Sequence, residues 1–89
     1  MKRTITILFN NRFNDAERVI GMFSGTGYKV EKINLAKNDE DDLSSMLVVT
    51  DTAGKNVENL LVRLRQQIRV VSVECEDGDR FTMEKQLNL

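Results

Sequence analysis

The side chains able to do chemistry in this sequence fall in three short runs. "NNRFNDAE", residues 10–17, places three amides, an arginine and two carboxylates where an alternating segment gives way to a helical one. "NDEDD", residues 38–42, gathers four carboxylates, and "EDGD", residues 76–79, three more. Carboxylate clusters suit hard cations, but "NDEDD" lacks the glycine and the distal Glu of an EF-hand loop and reads as a solvated hairpin connection. Asp-Gly is a frequent pair in tight turns that need positive φ, so "EDGD" reads as a turn. The chain has no His, which removes the commonest general base and the commonest metal ligand together. Cys75 is its only cysteine and has no CxxC partner. In an alternating strand it reads as a structural thiol. Neither an enzyme, nor a metal site, nor a cofactor is expected.

The first run stays open to a small anionic ligand, because helix starts present unpaired N–H groups. It carries no run of glycines to bring several amides onto an anion, and Arg12 alone is a weak anion site. Asn14 followed by Glu17 has the spacing of a capping box, in which each side chain satisfies a backbone N–H of the first turn. Asp15 adds a carboxylate near the positive end of the helix dipole, stabilising by a few tenths to about 1 kcal/mol and opposing an external carboxylate. Taken alone, the loop caps its own helix.

The elements that must position these runs are legible from periodicity. Thr4 to Phe9 alternates, with Ile5, Ile7 and Phe9 on one face of a first strand. Ala16, Val19, Ile20 and Phe23 follow a helical stripe that Gly25 and Gly27 end. Tyr28 to Leu35 reads as a second strand and Leu43 to Thr50 as a third, joined by the polar "AKNDEDD". Val57, Leu60, Leu61, Leu64 and Ile68 predict a second helix over Lys55–Ile68, and "VVSVEC" a fourth strand with Val71, Val73 and Cys75 on one face.

Strand, helix, strand, strand, helix, strand predicts an α+β fold of the ferredoxin-like βαββαβ type: a four-stranded antiparallel sheet with two helices on one face. Residues 1–76 form one domain, and 77–89 a short C-terminal tail or extra edge strand. Leu8 and one alternating set of the third strand leave apolar side chains on the other face or near a sheet edge, which predicts a homodimer.

Composition bounds the rest. The 89 residues are 40% hydrophobic and 30% charged, with no Trp or Pro, as in a small globular domain of marginal stability alone. A net charge of -1 offers no basic face for nucleic acid, and "LSSMLVVT" lacks the aromatics that RNA-recognition modules stack on bases. "MKRTITILFN" is too short an apolar run for a signal peptide or membrane span, so a cytoplasmic protein is expected.

"ILFNN" followed by "RVIGMFSGTGYKVEKINL" resembles the ACT domain that opens the small regulatory subunits of acetohydroxyacid synthase, also called acetolactate synthase. The resemblance runs from about Thr4 to Glu76 and includes Asn11, Arg18, Val19, Gly21, Phe23, Ser24, Gly27, Tyr28 and Glu31. It implies a non-catalytic subunit that dimerises through its sheet and activates the thiamine-diphosphate-dependent catalytic subunit in branched-chain amino-acid biosynthesis. It also implies an effector, valine or another branched-chain amino acid, at the dimer interface beside the loop between first strand and first helix. The effector-binding positions carried over are Asn11, Asn14, Asp15, Ala16 and Lys29. Two of them depart from the family pattern: its glycine falls at Asn14, and its Asn after the aromatic falls at Lys29. Both weigh against feedback sensing. The other reading of the same fold is a stand-alone ACT-type module that senses a small ligand.

Overall fold

The computed structural model describes residues 2–10, 15–24, 26–37, 42–67 and 69–80. Its elements are β1 (Lys2–Asn10), α1 (Asp15–Gly21), β2 (Lys29–Lys37), β3 (Leu43–Asp51), α2 (Glu58–Arg65) and β4 (Val70–Asp77). The strands form one sheet in the order β2-β3-β1-β4, with every neighbouring pair antiparallel. This is the expected α+β ferredoxin-like arrangement, in which β1 is central and β2 and β4 are the edges.

Alternation in β1 makes the core. Ile5, Ile7 and Phe9 are fully buried, and each sits between a β3 and a β4 residue in its row: Val48 and Cys75, Met46 and Val73, Ser44 and Val70. Val19, Phe23, Val57, Leu60, Leu61 and Leu64 close the core from the helical layer. Each such side chain contributes about 1.5–3 kcal/mol on leaving water, so the core decides which face carries the helices.

Both helices are shorter than their apolar stripes. α1 stops at Gly21, and the N–H groups of Met22, Phe23 and Ser24 donate to carbonyls three residues back, at 3.0–3.1 Å. That tighter winding turns Phe23 into the core just past the helix and leaves Ile20 39% exposed. The helix thus ends before the glycines expected to end it. Lys55 is held in a turn, its N–H donating to Thr52 O at 2.9 Å. The Asn56 side-chain oxygen accepts the N–H of Glu58 at 2.8 Å, so α2 starts three residues later than Lys55. Ile68 lies outside the described residues.

The face predicted for β4 is corrected. Leu8 pairs with Ser72 and Phe9 with Val70, so Val71 is an extra residue in the ladder. A bulge shifts the alternation by one residue. Val70 therefore packs against the core with Val73 and Cys75, while Val71 is 60% exposed.

After β4 the chain turns at Gly78 (φ +90°), and residues 78–80 run beneath the sheet, on the face without helices. Asp77 is the last residue of β4. Of the tail or edge strand expected for 77–89, residues 81–89 lie outside the described residues.

Candidate functional site

Where β1 ends and α1 begins, the chain assembles one end of the sheet. Asn10 donates its N–H to Arg69 O at 2.8 Å and faces Leu43 across the ladder. In the next row Phe9 faces Ser44, which is 1% exposed. The Asn10 Oδ1 and Ser44 Oγ atoms are both buried without a hydrogen-bond partner among the described residues. They lie on opposite faces of the sheet, since Ser44 shares the core-facing row of Phe9 and Asn10 follows Phe9 along β1.

Of the five expected effector residues, Asn11 and Asn14 lie outside the described residues. Asp15 is the first residue of α1. Ala16 is half-buried against the core cluster. Lys29 is exposed and is the first residue of β2, level with Asp51.

Asp51 in turn faces Lys2, at the start of β1. Lys29 and the α1 start are therefore separated by the length of β1, roughly 26 Å at about 3.3 Å per residue. Within one chain, Lys29 and the start of α1 thus lie at opposite ends of β1. The reason is topological: a β-α-β unit returns its second strand to the end where the first began.

The end of the sheet that holds Lys29 is built for structure. Lys2, Asp51 and Lys29 form a cross-strand row of alternating charge. The Asp51 carboxylate accepts the Ala53 N–H at 2.9 Å. That bond foremost, with attraction to Lys2 adding, holds the Asp51 carboxyl below the usual carboxylate range. Nearby, the Tyr28 hydroxyl donates to Asn56 O at 2.7 Å. The Thr26 hydroxyl donates to Phe23 O at 2.6 Å and accepts the Tyr28 N–H at 3.1 Å. Sequence reasoning took "SGTGY" only as a helix stop. The Thr two residues before an aromatic was the signal for this bracket between α1, β2 and the start of α2.

The exposed apolar surface is not where it was first expected. Val30 (37%), Ile33 (43%) and Leu35 (46%) of β2 are exposed. Ile33 and Leu35 are level with the core residues Val48 and Met46, so they lie on the helical side of the sheet, at an edge the helices do not cover. The irregular spacing of 30, 33 and 35 follows from a bulge between Val30 and Lys32. Leu8 and Leu47, on the opposite face, are half-buried. Among the described residues β2 thus combines an unpaired strand edge with an apolar strip, which suits addition of another strand or chain.

Among the described residues no three His, Cys, Asp or Glu side chains converge as a metal site, and no helix is long and apolar enough to cross a membrane.

No protein-family model matches the chain. The acetolactate synthase small subunit of Buchnera aphidicola subsp. Schizaphis graminum is 32% identical over all 89 residues, which cover 56% of that protein. Among solved structures, the acetolactate synthase small subunit from Thermotoga maritima superposes with a TM-score of 0.73 at 18% identity, covering 88% of this chain and 48% of the other. An ACT domain protein from Streptococcus pneumoniae gives a TM-score of 0.70 at 19% identity, covering 91% and 93% of the two chains. This chain spans about half the length of the curated relatives it matches. With the βαββαβ sheet order and the motifs from "ILFNN" to "INL", these likenesses give the chain the fold of an ACT domain and make it similar, along its whole length, to about half of an acetolactate synthase small subunit.

Proposed function

We propose that this chain is a non-catalytic regulatory subunit that binds an acetolactate synthase catalytic subunit and raises its activity. The observation that carries the reading is similarity to small subunits along all 89 residues, in a sequence that has no His and one cysteine. Without His, the commonest general base, the chain contributes to catalysis by shaping a partner. Co-purification with the cognate catalytic subunit and a rise in its turnover test this. No association and no activation would overturn it.

The working form is a homodimer through β2. Val30, Ile33 and Leu35 line an open edge, and two-fold pairing of β2 with β2 of a second copy runs antiparallel. Antiparallel pairing lays the start of one β2 beside the end of the other. Lys29 of one subunit then approaches the β1–α1 end of its neighbour, the end that holds the orphaned Asn10 and Ser44 atoms. The effector residues separated in one chain are thus joined across the interface.

At that composite site a branched-chain amino acid such as valine would be the ligand. Asn14 replaces the glycine of the family pattern, and Lys29 replaces an amide with a cation. The expected result is activation that valine, leucine and isoleucine do not reverse. A stand-alone sensor would instead show a ligand-dependent rise in thermal stability with no catalytic partner present.

A further inference from the structure

The ladder fixes which backbone groups β2 turns outward. The Gly78 N–H donates to Lys2 O at 2.9 Å, and these two residues continue the Arg3–Asp77, Thr4–Glu76 register of β1 with β4. Hydrogen-bonded pairs alternate with non-hydrogen-bonded ones along antiparallel strands. Lys2, Thr4, Thr6 and Leu8 therefore bond to β4, and Arg3, Ile5, Ile7 and Phe9 to β3. Beyond the bulge the parity is the same, since the Asn10 N–H donates to Arg69 O. Carried through the β1–β3 and β3–β2 registers, the residues of β2 that bond to β3 are Lys32, Asn34 and Ala36. Ile33, Leu35 and Lys37 thus point their N–H and C=O groups out of the sheet edge.

The same parity turns Val73, Cys75 and Asp77 outward at the β4 edge. There α2 packs against the strand, and Arg65 Nη2 donates to Val73 O at 3.1 Å. Glu74, Glu76 and Asp77 are exposed along it, and one sign of charge opposes pairing of that edge with its own copy. The β2 edge has no such cover among the described residues. Its Ile33 and Leu35 side chains, near half-exposed, stand on the helical side of the sheet. Lys32, Asn34 and Ala36 stand on the other side, all exposed.

We propose that a second copy pairs with β2 in one register, its two-fold axis at Asn34, so that Ile33 of each chain lies opposite Leu35 of the other. The register rests on the β2 homodimer proposed above and fixes its geometry. A two-fold interface presents the same segment from both sides. Outward groups bond only to outward groups, so the axis passes at a residue and not between two. With the axis at Ile33, Leu35 would face Glu31; with the axis at Leu35, Ile33 would face Lys37. Each of those sets an apolar side chain of both chains against a charged one. The axis at Asn34 puts the four apolar side chains into two facing pairs, joined by four backbone hydrogen bonds. On the other face it opposes Lys32 to Ala36, and the two Asn34 amides meet at the axis, where each can donate and accept. Lys29 then lies beyond Lys37 of the other copy, whose row runs through Ser44 to Phe9 at the end of the sheet where α1 starts.

The test is thiol cross-linking in a Cys75→Ala background, which leaves the chain no other thiol. Asn34→Cys, Lys32→Cys and Ala36→Cys each add one cysteine at an exposed position. Each variant is oxidised mildly, and sedimentation velocity reports its oligomeric state beforehand. At the axis the two Cα atoms of a non-hydrogen-bonded pair stand about 4.5 Å apart, within disulfide reach. Two copies of Lys32→Cys, or of Ala36→Cys, hold their thiols about 13 Å apart, four residues along the strand. Asn34→Cys should therefore form a covalent dimer about tenfold faster than either, and a mixture of Lys32→Cys with Ala36→Cys should cross-link as heterodimer. Faster cross-linking of Asn34→Cys to Lys32→Cys or Ala36→Cys than to itself, or no cross-link at all in a chain that sediments as a dimer, would overturn the register and leave the homodimer standing. A chain that sediments as a monomer would overturn both.

Discussion

Gly27 and Gly21 show how two glycines of one loop region differ in consequence. Gly27 has φ +81°, and a Cβ there would lie 2.7 Å from Lys55 Nζ. The lysine tip can move aside, so the backbone conformation carries the cost. Gly27→Ala should destabilise by about 1–2 kcal/mol, read as a shift in the urea midpoint at constant slope. Gly21 ends α1, and a Cβ there would meet nothing within 4 Å, so Gly21→Ala should be neutral or stabilising by up to about 1 kcal/mol. Asp51 gives a pH signature. Its folded-state pKa is depressed, so its contribution is complete above the unfolded pKa and is lost as pH falls through the folded one. Asp51→Asn should flatten the acid side of the stability profile measured by urea denaturation between neutral and acid pH. An unchanged profile would show that Asp51 and its bond from the Ala53 N–H carry no linkage.

Among the elements, β4 is the sharpest lesson in what periodicity conveys. Alternation put Val71, Val73 and Cys75 on one face, and two of the three are there. A bulge is a register event between two strands, set by Phe9 meeting Val70, and one strand's pattern cannot contain it. Val73→Ala should cost about 2 kcal/mol for the lost methyls and residual cavity, whereas Val71→Ala should stay within about 0.5 kcal/mol. Equal costs at the two positions, measured by chemical denaturation, would contradict the bulge. β1, β3 and the buried stripe of α2 were legible because each turns a regularly spaced apolar set into the core. The helix ends were not, because Asn56 and the three-residue turns after α1 compete with the stripe for the same residues. The position of Lys29 relative to the α1 start was also hidden, since motif spacing carries no direction and chain topology does.

For the molecule as a whole, the exposed strip of Val30, Ile33 and Leu35 lies beside a strand edge that no described strand pairs, and the proposed homodimer would cover both. Ile33→Lys with Leu35→Lys should convert a dimer into a folded monomer in sedimentation velocity, with little change in monomer stability, because both side chains are already near half-exposed. A dimer that persists in this variant would place the interface elsewhere. The proposed regulatory role rests on the same unit, acting through the partner it would hold. The most direct measurement is the activity of the cognate acetolactate synthase catalytic subunit with and without this chain, repeated with valine, leucine and isoleucine. Raised turnover that none of the three amino acids reverses is the predicted result; unchanged turnover, with no complex formed, would contradict the regulatory role itself.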